Sequence, residues 1–281
     1  RLATVPSRSY IGNGSSRREG QDGRAMFQDV TELQRFYEDR LGRVVRHTIQ
    51  RELRQVWPDV RRQRVLGLGY CTPYLYPFQE EAERVLAFMP AQQGVLHWPA
   101  RHTNATTLVD EGNLPLSAYS IDRVLLVHSL EHTEQLRPLL SEIWRVMMGD
   151  ARLLIVVPNR RSLWSRLERT PLGHGHPFSH GQLTRLLKDQ SFTPQQARHA
   201  LFVPPTYSRS LLGAAPAFER IGKRWLPQLS GLVMLEATKQ VYATTRPLET
   251  EKVRRPKLAP VPAGTPAGVR WRSDDGYDVA V

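Results

Sequence analysis

An α/β fold built on a doubly wound, mostly parallel sheet is what this sequence predicts, and three observations carry that reading. The first is Arg64-Val65-Leu66-Gly67-Leu68-Gly69-Tyr70-Cys71-Thr72-Pro73, where a short apolar run breaks into two glycines and then Thr-Pro. That is the pattern of a buried strand, a tight turn and a helix start. The second is Ile121 to Val127, a nearly continuous apolar run, as expected of a parallel strand covered on both faces. The third is the alternation of such runs with stretches of helical periodicity, the mark of βαβ construction.

Taken in order, residues 1–26 are rich in Arg, Ser and Gly with little apolar content, and are expected to be disordered. Asp29 with Glu32 makes a helix start, and Leu33, Phe36, Tyr37, Leu41, Val44, Val45, Ile49 and Val56 follow at helical spacing up to Trp57-Pro58. The spacing predicts one long amphipathic helix ahead of the glycine strand. Tyr37 would reach over a ligand from it, or simply join the core. Pro77 keeps the helix after Thr72-Pro73 short. Strands are expected over 84–89 and 106–109, the second running into the loop Asp110-Glu111-Gly112-Asn113. After the strand at 121–127, a helix bearing Leu136, Leu139, Leu140, Ile143, Trp144 and Met147 should stop at Gly149, with a buried strand at 152–157.

The second half carries two insertions, 158–180 and 204–229. Ser179 with Gln182 forms a capping box for a helix bearing Leu183, Leu186 and Leu187. Strands are expected around 198–203 and over 232–244, with a helix carrying Leu212, Phe218, Ile221 and Trp225 between them. That helix either covers core or offers a lid, a dimer face or a basic surface. The domain therefore spans 27–245, and proline, alanine and charge in 246–281 make a flexible tail.

Bulk properties narrow the function. At 281 residues and 40% hydrophobic content the chain can bury one substantial core. Its single cysteine, Cys71, excludes an internal disulfide and fits a reducing, cytoplasmic setting. No apolar run approaches the roughly 20 residues of a membrane span. The formal charge of +12 invites a nucleic-acid partner, but the arginines are scattered among acids rather than blocked together, so an ordinary solvated surface is favoured.

With the strands placed, the pattern resembles the class I S-adenosylmethionine-dependent methyltransferases of the type 11 group, from about Arg64 to Phe192. Three segments carry the likeness: Val65-Leu66-Gly67-Leu68-Gly69; Leu114-Pro115-Leu116 with Ile121-Asp122-Arg123-Val124 and Leu130-Glu131-His132; and Trp144-Arg145-Val146 through Gly149 to Leu153-Leu154-Ile155-Val156-Val157-Pro158-Asn159. The resemblance implies a seven-stranded Rossmann-like sheet with an antiparallel last strand, S-adenosylmethionine as cofactor and an unidentified methyl acceptor. It also implies a cofactor site at Gly67, Gly69, Tyr70, Cys71, Met89, Asp110 and Glu111. The match is degenerate: Gly67 stands where the family usually has an acid, Cys71 and Pro73 take the later glycine positions, and Met89 or Pro90 replaces the ribose-binding carboxylate. A lost charge-assisted hydrogen bond of that kind is worth roughly 1.5–3 kcal/mol. A non-catalytic binding module and a nucleic-acid-directed methyltransferase therefore stay open beside the enzyme.

Methyl transfer needs alignment and dryness more than covalent help, with a base only where the acceptor must lose a proton. His128, just past the strand at 121–127, is the candidate base, with a hydrogen-bonded loop histidine as the alternative. Glu131 and His132 are expected to cap or orient the next helix. His174, His176 and His180 have no cysteine or carboxylate beside them, so no metal is expected there, and their loop is assigned to the substrate side of the cleft. A nicotinamide dehydrogenase is disfavoured, because Thr72 replaces the third glycine of that fingerprint.

Overall fold

A computed structural model of the chain describes residues 28–100 and 103–240. The readings of 1–26, of 246–281 and of the last strand beyond 240 lie outside the described residues. Seven strands form one sheet: β1 (Arg64–Gly69), β2 (Arg84–Pro90), β3 (Thr106–Val109), β4 (Ile121–Val127), β5 (Met147–Pro158), β6 (Phe192–Ala200) and β7 (Leu232–Lys239). Their order is β3-β2-β1-β4-β5-β7-β6. β1 to β5 pair in parallel, and β7 runs antiparallel to both its neighbours. The expected α/β class, strand number and antiparallel last strand are all present. Strand order reverses between β1 and β4, so their carboxyl ends open a crevice at the switch point, where open α/β sheets take ligands.

Helices cover both faces. On one lie α1 (Val30–Glu38) and α2 (Arg40–Val56), which bury Leu33, Tyr37, Leu41, Val45, Ile49 and Leu53. On the other lie α4 (Leu136–Val146) and α5 (His180–Asp189), which bury Leu139, Leu140, Ile143, Leu183 and Leu187. A short α3 (Thr72–Leu75) follows β1. Trp57, closing α2, is 2% exposed and donates its indole N–H to Glu236 Oε1 on β7 at 3.1 Å, tying helix to sheet.

Four expectations need correction. The single long N-terminal helix is two, broken at Asp39, whose backbone is extended (φ −74°, ψ 164°). Gly42 explains the tight break, since a Cβ there would lie 1.8 Å from the Phe36 carbonyl oxygen. Gly149 does not stop α4; the chain enters β5 directly at Met147, which pairs with Ile121. β6 runs over 192–200 rather than 198–203. The helix of the second insertion is α6 (Arg209–Gly213) followed by α7 (Ala215–Trp225). Leu212 is buried, but Ile221 is 60% and Trp225 70% exposed, so the end of that stripe covers no core.

Candidate functional site

β4 delivers His128 to the crevice. The residue has φ of 51°, in the left-handed region, a costly backbone for a non-glycine residue and one that clusters at functional sites. That turn points the imidazole back towards α1, where His128 Nε2 meets the Tyr37 hydroxyl at 2.7 Å. Tyr37 stacks on Tyr70, ring centroids 5.5 Å apart at 18°, and touches Tyr74 edge-on. Burial raises the Tyr37 phenol far above its ordinary pKa, so it is a neutral hydroxyl facing the imidazole.

The other imidazole nitrogen, Nδ1, lies 3.3 Å from Glu131 Oε1. His128, Glu131 and His132 are each at most 1% exposed. Burial pushes the Glu131 carboxyl up, but the imidazoles of His128 and His132 outweigh it and hold the group below its ordinary value, as a carboxylate. Neither of its oxygens accepts a well-formed hydrogen bond. The expectation that Glu131 and His132 cap the next helix is therefore corrected. α4 starts four residues beyond, with Gln135 as its first cap residue, and both side chains turn inward to His128.

Two further segments hold this cluster. Gln93, in the loop after β2, donates its side-chain amide to the His128 backbone carbonyl at 3.1 Å, and its backbone carbonyl accepts from Val30 N at 2.9 Å at the start of α1. From the first insertion, His176 donates its backbone N–H to the Glu131 carbonyl at 2.7 Å. Gly175 makes that approach possible: its φ is 76°, and a Cβ there would fall 2.5 Å from the Glu131 oxygen. Sequence reasoning named His128 and the loop, but it missed Gly175 and Gln93 and left Tyr37 undecided. The side chains of His174 and His176 stay outside the cluster; His174 Nε2 pairs with the Glu168 carbonyl at 2.7 Å and His176 is exposed.

The residues expected to hold a cofactor fall into two groups. Gly67, Cys71 and Met89 are packed inside, with a Cβ at Gly67 only 2.6 Å from Cys71 Cβ and 2.7 Å from Leu75 Cδ1. Gly69 has φ of 89° and lies against the Val127 carbonyl. Tyr70 lines a cavity of about 280 Å³ with Gln34, Tyr37, Thr72, Leu96 and Trp98. Asp110 is exposed and Glu111 half-buried; burial raises the Glu111 carboxyl, with Thr133 and Ser129 acting against it. Neither acid lines that cavity. A larger space of about 580 Å³ lies elsewhere, between Trp164, Leu201, Phe202, Phe218, Ile221 and Leu229. No residue at the end of β4 lines either space, but the smaller cavity is walled by Tyr37, whose hydroxyl meets His128, and so adjoins the site.

Cys71 is fully buried, and its Sγ lies 3.2 Å from the Leu68 carbonyl and 3.3 Å from that of Leu125. Burial raises its thiol well above the ordinary range. It fills the glycine position as a small apolar group rather than as a nucleophile. Cys71 should therefore resist iodoacetamide in the native protein at neutral pH and react once the chain is unfolded; labelling of native protein at the rate of a free thiol would contradict this packing.

No family model matches this sequence, and no curated protein matches it by sequence. Solved structures do match the fold. One is an S-adenosylmethionine-dependent methyltransferase from Thermotoga maritima, described as a possible histamine N-methyltransferase. It has a TM-score of 0.52 at 16% identity, over 75% of this chain and 95% of that one. Another is the methyltransferase in complex with the Haloferax volcanii Trm112 methyltransferase activator, with a TM-score of 0.52 at 15% identity, over 74% and 94%. At these identities the likeness shows the fold: the chain folds as a class I S-adenosylmethionine-dependent methyltransferase does.

Proposed function

We propose that this chain is an S-adenosylmethionine-dependent methyltransferase whose acceptor docks at the carboxyl end of β4. The observation that carries the reading is the buried series Tyr37, His128 and Glu131 on the switch-point crevice. A left-handed histidine and a buried carboxylate without good donors both cost free energy that mere packing would not retain. Such perturbed groups gather where chemistry is done.

The cofactor is assigned to the crest between the β1 turn and the acids at Asp110 and Glu111. Gly67, Gly69, Cys71 and Met89 lie beneath it, and Tyr70 walls the neighbouring cavity, which neither acid lines. Tyr37 stacks on Tyr70 beside that crest, so the α1 side chain borders the space a ligand would enter. When bound there, S-adenosylmethionine would supply an already activated methyl group to the acceptor's lone pair. The chain's part is to align the acceptor and exclude water. Where the acceptor carries a proton, the Tyr37 hydroxyl, which lines the cavity, would take it while passing its own proton to His128 Nε2, and the Glu131 carboxylate would stabilise the imidazolium that results.

The packing over Gly67 favours one other reading, a fold kept as a non-catalytic binding module. Calorimetric titration with S-adenosylmethionine separates the two. The enzyme should give saturable heat, and Asp110→Ala combined with Glu111→Ala should weaken binding about tenfold or more, the worth of one charge-assisted hydrogen bond. Absence of heat at millimolar ligand would leave the module.

A further inference from the structure

The methyl-transfer reading leaves one cluster only partly used. His128, Glu131 and His132 each offer a ligand atom, and these atoms lie within 4.8 Å of one another, all from buried residues. Both Glu131 oxygens and His128 Nδ1 lack a well-formed hydrogen bond although no solvent reaches them. A buried carboxylate is ordinarily paired, hydrogen-bonded or coordinating a metal. Here the carboxylate is paired only with the imidazoles of His128, at 3.3 Å, and His132, and neither of its oxygens accepts a well-formed hydrogen bond.

We propose that His128 Nδ1, the Glu131 carboxylate and His132 bind one divalent first-row transition ion. Two imidazoles and a carboxylate suit zinc, cobalt, iron or manganese better than calcium or magnesium, which prefer all-oxygen sets. Three protein ligands leave at least one position open, as in sites where an ion meets a substrate. The surroundings fit such an ion. With Nδ1 on the metal, the ring proton sits on Nε2 and is donated to the Tyr37 oxygen at 2.7 Å, the outer partner that metal-bound histidines usually have. The His176 N–H on the Glu131 carbonyl and the bare α-carbon of Gly175 fix the backbone between two of the ligands.

The ion site stands on these contacts alone. Its use in transfer rests on the methyltransferase reading: an acceptor oxygen would occupy the open position beside the methyl donor, which makes an oxygen-bearing acceptor the expected class. His128 would then serve as a ligand, and the ion would acidify the acceptor in its place.

The test uses the full chain, stripped with a chelator and titrated with Zn²⁺ and Co²⁺ in the absence of S-adenosylmethionine. Expected is one tightly bound ion per chain, with visible cobalt absorption of a nitrogen- and oxygen-ligated site. Glu131→Gln should weaken binding at least about 100-fold, beyond the roughly 10- to 100-fold typical of an outer-shell change. Tyr37→Phe should fall within that smaller range, and Glu131→Asp should recover part of the loss. His174→Ala, on the outer loop, and His180→Ala, at the start of α5, should leave affinity unchanged. Thermal melts check that each variant is folded. Loss of binding in the loop variants, equal binding in Glu131→Gln, or no binding by the native chain overturns the proposal. Metal binding without cofactor binding would sink the methyltransferase reading alone, and the converse would sink this one alone.

Discussion

Gly69→Ala is expected to cost on the order of 3–4 kcal/mol of stability, read from the midpoint of a urea transition with unchanged slope. Two causes add. The residue has φ of 89°, where any Cβ is strained, and that Cβ would sit 2.3 Å from the Val127 carbonyl oxygen and 2.9 Å from Ser129 Cβ. Backbone cannot swing aside as a side chain can, so β1 and β4 must part at their last pair, Gly69 with Val127. Gly94→Ala separates the causes: its φ is also 89°, but the nearest atom is the Val30 side chain at 3.2 Å. Strain alone should cost about 1 kcal/mol there. Equal losses at the two glycines would show that the close approach to Val127 is not what demands glycine at 69.

The second large effect is Trp57→Ala, with an expected loss of about 4–5 kcal/mol. Truncating a buried tryptophan typically costs about 3–5 kcal/mol through lost transfer and the cavity left behind. Here the indole N–H is also taken from Glu236, which is 1% exposed. Glu236 keeps Arg152 at 3.2 Å and Gln196 at 3.1 Å, so the orphaned oxygen adds at the low end of its range. Trp57→Phe should recover most of the packing but not the hydrogen bond. If phenylalanine proves no better than alanine in the same transition, the hydrogen bond rather than the ring is what holds α2 to the sheet.

Much of the fold is legible in the residues themselves, for a physical reason. β1, β2 and β4 are covered on both faces over most of their length, so they read as apolar runs, stopped by glycine in β1, by proline in β2 and by His128 after β4. β6 has no such run. It is the outer strand, Phe-Thr-Pro-Gln-Gln-Ala-Arg-His-Ala, buried fully only at its ends, and its register shifts between Pro194 and Ala197. An edge strand with a proline carries too little pattern to bound it. The break at Asp39 is hidden differently: Tyr37, Leu41 and Val45 keep helical spacing across it, and only the distant demand at Gly42 shows that the axis turns.

The site divides along the same line. His128 could be found because its position after a buried strand is a local property. Glu131 and His132 could not, since a charged pair just before a helix looks like a cap. Their inward turn depends on Gly175, some forty positions later, and on a helix that precedes the sheet. No window of neighbouring residues contains that arrangement.

The link from Val30 through Gln93 to His128 has a mechanical consequence. A tug on the start of α1 would arrive at the His128 backbone carbonyl through two hydrogen bonds, by a route that skips the strands. Whatever is fused, clipped or docked at that end has a short hydrogen-bonded path to the backbone that carries the histidine.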